Sequence, residues 1–112
     1  MVKLMALYKP APDQATFDQH YFSTHVPLTA KIPGLQRIKV TRVVGAPMGE
    51  APYYLLCEMY YEDHDSLLAA MKSSEGKASA KDLFSFAGEL VTLMIGEELD
   101  EEDEQVEEEL EV

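Results

Sequence analysis

The stretch YYLLCEMYYE, residues 53–62, limits what this chain can become more than any other segment. Its aromatic and aliphatic residues give it strong β character. In a strand, alternate side chains point to opposite faces. Tyr53, Leu55, Cys57, Met59 and Tyr61 then form one face, and Tyr54, Leu56, Glu58, Tyr60 and Glu62 the other. Both sets are largely apolar, so a sheet built around this strand needs cover on both sides.

The neighbouring segments supply the rest of that sheet. VKLMALYK (2–9) reads as a strand ended by Pro10 and Pro12, LQRIKVTRVVG (35–45) as a second, and ELVTLMIGEE (89–98) as the last. Between them lie helical stretches. Asp13 stands as an N-cap, and Phe17, Tyr21, His25, Leu28 and Ile32 follow at steps of three or four on one helical face. Residues 63–74 begin with capping acids, and 75–88 form a second helical piece ending at Gly88. IPGL (32–35) is a turn and APMGEAP (46–52) a loop. The order β-α-β, β-α-β predicts an α+β, ferredoxin-like fold: a four-stranded antiparallel sheet with helices on one face. The other face should be solvated. In the first strand Leu4, Ala6 and Tyr8 point one way and Met5 and Leu7 the other. With the two sets of 53–62 and the doubly apolar LVTLMI, both faces are apolar, which argues against that. A large exposed apolar face is a liability. A second copy packed sheet to sheet, a homodimer, is the economical cover.

Charge is divided along the chain. Residues 1–96 carry 10 acidic and 9 basic side chains, while residues 97–112 carry 11 acidic and none basic. The expected organisation is therefore a nearly neutral domain over 1–98 and an acidic, disordered tail over 99–112. Neither part has a basic face for nucleic acid or anionic lipid. No apolar run of 18 residues is present, so no membrane span is expected. Cys57 stands alone, and the amino-terminal segment lacks signal-peptide character. A cytoplasmic protein is the expectation.

HYFSTHVPL (20–28) carries the candidate chemistry. On a regular helix His20 and His25 stand roughly 140° apart, His25 inward and His20 at the edge of the apolar arc. That spacing disfavours a shared ion, so no metal is expected. Pro27 removes an N–H and clashes with the Ser23 carbonyl, so the helix should bend or stop near His25. An inward histidine beside freed carbonyls suits a general acid or base, and equally a histidine hydrogen-bonded to one of those carbonyls. Tyr21, one turn earlier on the same face, is either a polarising hydroxyl or a core aromatic. Glu58 lies in an otherwise apolar strand and needs a partner, with Lys3, Arg37 and Lys39 as candidates, or else a pocket that raises its pKa. No glycine-rich phosphate loop, dinucleotide fingerprint or nucleophile elbow is visible, so no cofactor is expected.

Taken together, His20, Tyr21, His25, Pro27 and Leu28, then Ile32 to Leu35, then Ser73 to Gly76, resemble the motifs H-Y-x-x-x-H-x-P-L, I-P-G-L and S-x-E-G of the EthD family. The resemblance covers about residues 1–98. It implies the dimeric α+β barrel superfamily, whose pockets lie between the helices and the concave sheet face. Members are encoded with genes for ether degradation, and some are labelled reductases. The reading that follows is a homodimer binding a small apolar or aromatic, oxygen-bearing molecule. His25 and Tyr21 are its candidate catalytic residues, with Met5, Leu7, Glu58, Phe84, Phe86 and Met94 around the ligand. Cofactor-free isomerase, cyclase or dehydratase chemistry in a degradation pathway fits it best. An oxidoreductase or monooxygenase, a non-catalytic binder and a structural dimer are the alternatives.

Overall fold

The structure, a computed structural model, describes residues 1–99. Apart from Leu99, the expected acidic tail lies outside the described residues. The chain runs β1 (Val2–Tyr8), α1 (Gln14–His20), a π-helical turn (Tyr21–His25), α2 (Val26–Ala30), β2 (Arg37–Arg42), β3 (Leu55–Tyr61), α3 (His64–Lys72), α4 (Ser74–Ala87) and β4 (Val91–Glu97). The strands form one antiparallel sheet in the order β2-β3-β1-β4. This is the ferredoxin-like arrangement, with the helices on one face. Among the described residues no helix is long and apolar enough to cross a membrane.

Local chemistry sets the element ends. The Asp13 carboxylate accepts from the Thr16 N–H at 3.2 Å, and Asp63 caps α3 by accepting from the Ser66 N–H at 2.8 Å. In the IPGL turn Gly34 adopts φ +84°, where a side chain would be strained. The Ser73–Gly76 motif also has a structural reason. The Ser73 hydroxyl donates to the Ala70 carbonyl at 2.6 Å and accepts from the Gly76 N–H at 3.0 Å, closing α3 and opening α4. A Cβ on Gly76 would stand 2.0 Å from the Ala70 carbonyl oxygen, so only glycine allows this crossing.

The helix face of the sheet carries Leu4, Ala6 and Tyr8 from β1 and Leu55, Cys57, Met59 and Tyr61 from β3, with Phe17, Tyr21, Leu67 and Leu83 packed down from the helices. The opposite face presents Lys3, Met5 and Leu7, then Leu56, Glu58 and Tyr60. Glu58 is paired, as its position demands. The Lys3 ammonium meets it at 2.5 Å, and that bond holds the Glu58 carboxyl below its usual range. Lys3 and Arg37 both lie over the Tyr60 ring, each 5.5 Å from its centroid.

The helix does not stop at Pro27. It absorbs the proline by widening one turn. The Val26 N–H reaches back five residues to the Tyr21 carbonyl, and α2 then continues through Pro27 to Ala30. The looser turn makes room for the proline ring where an α-turn would bring it against the Ser23 carbonyl.

Candidate functional site

Between the helices and the sheet lies a cavity of about 220 Å³. Ala6, Tyr8, Cys57 and Met59 form its floor, Leu83 and Gly76 belong to its α4 wall, and Ile32 closes one side. Met71, Phe84 and Leu93 line it and are exposed as well, so it opens between α3, α4 and β4. Almost all of this lining is apolar. His25 and Ser79 are the exceptions that also belong to a connected polar group.

His25 is 6% exposed and is held from both ends. Its Nδ1 lies 3.0 Å from Oδ2 of Asp82 on α4. A carboxylate beside Nδ1 fixes the proton there and leaves Nε2 as the acceptor. Nε2 faces the Thr29 hydroxyl at a loose 3.5 Å, and Thr29 is bonded to Ser79 at 2.8 Å. Burial lowers the His25 pKa, and the Asp82 bond only partly opposes that. At neutral pH the ring is therefore an oriented, uncharged base on the wall of an apolar cavity.

The freed-carbonyl alternative for His25 is not what the structure shows, because its partner is a carboxylate 57 residues away. That carboxylate escapes a reading of HYFSTHVPL. Its signal lies in KASAKDLFSFAG. Ser79, Asp82 and Phe86 recur at steps of three and four beside Leu83, placing an acid on the apolar side of a helix.

The two histidines also lie closer in direction than a regular helix allows. His20 Nε2 is 2.9 Å from Oδ1 and 3.1 Å from Oδ2 of the same Asp82. A turn closed over five residues contains one more than an α-turn, so residues 20 and 25 come to face the same neighbour. The expected 140° separation holds only for an unbroken α-helix. Even so, among the described residues no group of three His, Cys, Asp or Glu side chains is arranged to hold a metal ion.

The remaining candidates divide between the two sheet faces. Tyr21 is fully buried and packs against Tyr8, Phe17 and His25, but it is not part of the cavity lining. Its hydroxyl has no conventional hydrogen-bond partner among the described residues, and its polar neighbours are the Cys57 thiol and Tyr8. Burial drives its pKa upward, so it stays protonated. Phe84 stands at the cavity mouth, whereas Phe86 packs on the His20 and His25 rings at 4.4 and 5.2 Å between centroids. Met5, Leu7, Glu58 and Met94 all lie on the sheet face away from the helices. The cavity is instead lined by Tyr8, Cys57, Met59 and Ser79, which sequence reasoning did not assign to it.

Residues 9–89 match the EthD domain. The chain is 65% identical to an EthD family protein of solved structure from Bacillus halodurans C-125, covering 88% of this chain and 99% of that one with a TM-score of 0.87. It is 32% identical over 98 residues to an uncharacterized 11.0 kDa protein from Rhodococcus erythropolis, covering 88% of this chain and 95% of that one. A dimeric ferredoxin-like protein of unknown function from Jannaschia sp. CCS1 shares the fold at 12% identity, with a TM-score of 0.64 over 87% of this chain and 98% of that one.

Proposed function

The chain belongs to the EthD family, and from that premise we propose that it binds a compact, mainly apolar molecule bearing an oxygen function and moves a proton on it. The observation that supports this is the neutral, Asp82-oriented His25 on the wall of an otherwise apolar cavity. At about 220 Å³ the cavity lies just below the usual size of small-molecule sites, about 300–1,000 Å³, which favours a small ligand.

In this reading the apolar lining binds the ligand body and His25 Nε2 accepts a proton from it. Asp82 then stabilises the imidazolium through Nδ1–H, as an orienting carboxylate does beside a general base. Ser79 offers a hydroxyl that can donate to or accept from the ligand oxygen, and Thr29 holds that hydroxyl from behind the wall. Tyr21 acts behind the wall, holding the His25 ring by packing. Isomerisation, cyclisation and dehydration are the reaction types this set suits.

The protein works as a homodimer in this proposal, with the sheet faces carrying Met5, Leu7 and Met94 packed together. The apolar side chains on that face support it, as does the dimeric state of the Jannaschia protein that shares the fold. Light scattering should give about twice the 12.6 kDa chain mass, and a particle near 12.6 kDa would rule the dimer out.

Native mass spectrometry of the chain from its own host identifies the retained molecule. Turnover of that molecule should fall about 100-fold or more in His25→Gln, the usual contribution of a positioned base. Equal turnover would end the acid–base reading, and binding without turnover in either protein would leave a carrier.

A further inference from the structure

We propose that His20 is a positioning residue for His25: it holds the Asp82 carboxylate in place and, when it takes a proton, withdraws that carboxylate's charge from His25. The proposal rests on the reading of His25 as the cavity's base and adds a second residue that governs it.

The geometry is a shared carboxylate. Asp82 Oδ2 lies 3.0 Å from His25 Nδ1 and 3.1 Å from His20 Nε2, and Oδ1 lies 2.9 Å from His20 Nε2. A carboxylate has enough lone pairs for both rings, but it has one charge to divide between them. The two histidines differ in access to water. The His25 side chain is 8% exposed and the His20 side chain 34%. His20 also lines a surface cleft with Pro12, Asp13, Thr16 and Phe86, none of which lines the cavity. Asp82 thus joins a residue of the cleft, His20, to a residue of the cavity, His25. Burial makes a charge costly on His25, whereas water still reaches His20.

Among the described residues Tyr8 on β1 also feels Asp82, and burial keeps it protonated. His25 feels Asp82 from α4 and His20 from α1, while Thr29 and Tyr21 are its neutral neighbours. His20 meets Asp82 and the Phe86 ring from α4, and Asp13 lines the same cleft from its own side. The ordering of effects follows. With His20 neutral, Asp82 is free to support a proton on His25. With His20 protonated, the carboxylate is already matched, and His20 adds a like charge that opposes a second proton. His25 is then kept as a free base toward lower pH than it would be alone. The π-helical turn makes this possible, because it is what turns residues 20 and 25 toward one partner.

The test is a nitrogen-15 NMR titration of the imidazole rings in the full chain, with the exposed His64 on α3 as internal reference. In the native chain His25 should titrate as one half of a coupled pair, with its proton on Nδ1. His20→Gln keeps a donor for Asp82 but cannot take a proton. There the His25 midpoint should move to higher pH and its curve become a single step, with the Nδ1–H tautomer retained and His64 unmoved. His20→Phe removes the donor as well, and His25 should then lose its single fixed tautomer. An unchanged or lowered His25 midpoint in His20→Gln overturns the proposal, whether or not the phenylalanine variant folds. The titration needs no ligand, so its outcome is independent of whether the cavity turns over a substrate.

Discussion

On the helix side of the sheet, His25 is 6% exposed; on the opposite side, Glu58 is 8% exposed. Both are largely shut off from water at the surface, but His25 lies deeper in protein, and both pKa values are pushed down, which favours the deprotonated form of each. For His25 the leading cause is desolvation, so a lowered value means a neutral ring. For Glu58 the leading cause is the Lys3 bond, so a lowered value means a charged carboxylate. The difference in cause lies in depth and in the partner. Lys3 brings a full positive charge to Glu58 at 2.5 Å, whereas Asp82 divides its charge between two rings. The helix side therefore keeps an uncharged base beside an apolar space, and the other side a closed ion pair among apolar neighbours.

The comparison is most easily broken by collapsing the helix side. Gly76→Ala places a methyl group 2.0 Å from the Ala70 carbonyl oxygen, which is backbone and cannot step aside. We expect a loss of about 3 kcal/mol or more by urea denaturation, the upper range for overpacking. A loss below about 1 kcal/mol would mean that the α3–α4 crossing shifts freely.

The two faces are next separated by matched truncations. Leu55→Ala opens a hole in the fully buried helix side and should cost about 3 kcal/mol at any protein concentration. Leu7→Ala, on the other face, should cost about 1 kcal/mol, and its cost should depend on protein concentration if that face joins two copies. Equal, concentration-independent losses would erase the distinction.

The smallest effect is in the acid response. Each group has a folded pKa below its unfolded value, so each contributes stability that is present above the unfolded value and lost as pH falls through the folded one. The His25 contribution starts to fall away below about pH 6.5, and the Glu58 contribution below about pH 4.5. Urea midpoints measured from pH 8 to about pH 3 should show two successive declines. His25→Gln should remove the upper decline and Lys3→Met should weaken the lower. A single decline in the native chain would contradict the separation.

Much of the fold could be read along the chain. Alternation groups Ala6 with Tyr8 in VKLMALYK and Cys57 with Met59 in YYLLCEMYYE, which the register then joins on one face, and the caps at Asp13 and Asp63 mark two helix starts. The inward direction of His25 was legible because periodicity survives up to the point where Pro27 acts. The cavity lining was less so. Alternation defines two faces of a sheet without saying which one keeps an unfilled space, and Met5, Leu7 and Met94 proved to be on the face without helices. Lys3 was legible as one of three candidate partners for Glu58, but the diagonal geometry that chose it over the directly opposite Lys39 was not.

The sequence by itself determined the order of elements, the two-faced strands and the inward histidine at a proline, because each depends on spacing between near neighbours. Only the tertiary structure decided how HYFSTHVPL is used. The π-helical turn rotates His20 toward His25, and α4 brings Asp82 against both from more than fifty residues away. A pairing of that kind depends on how the layers pack, and no local period records it.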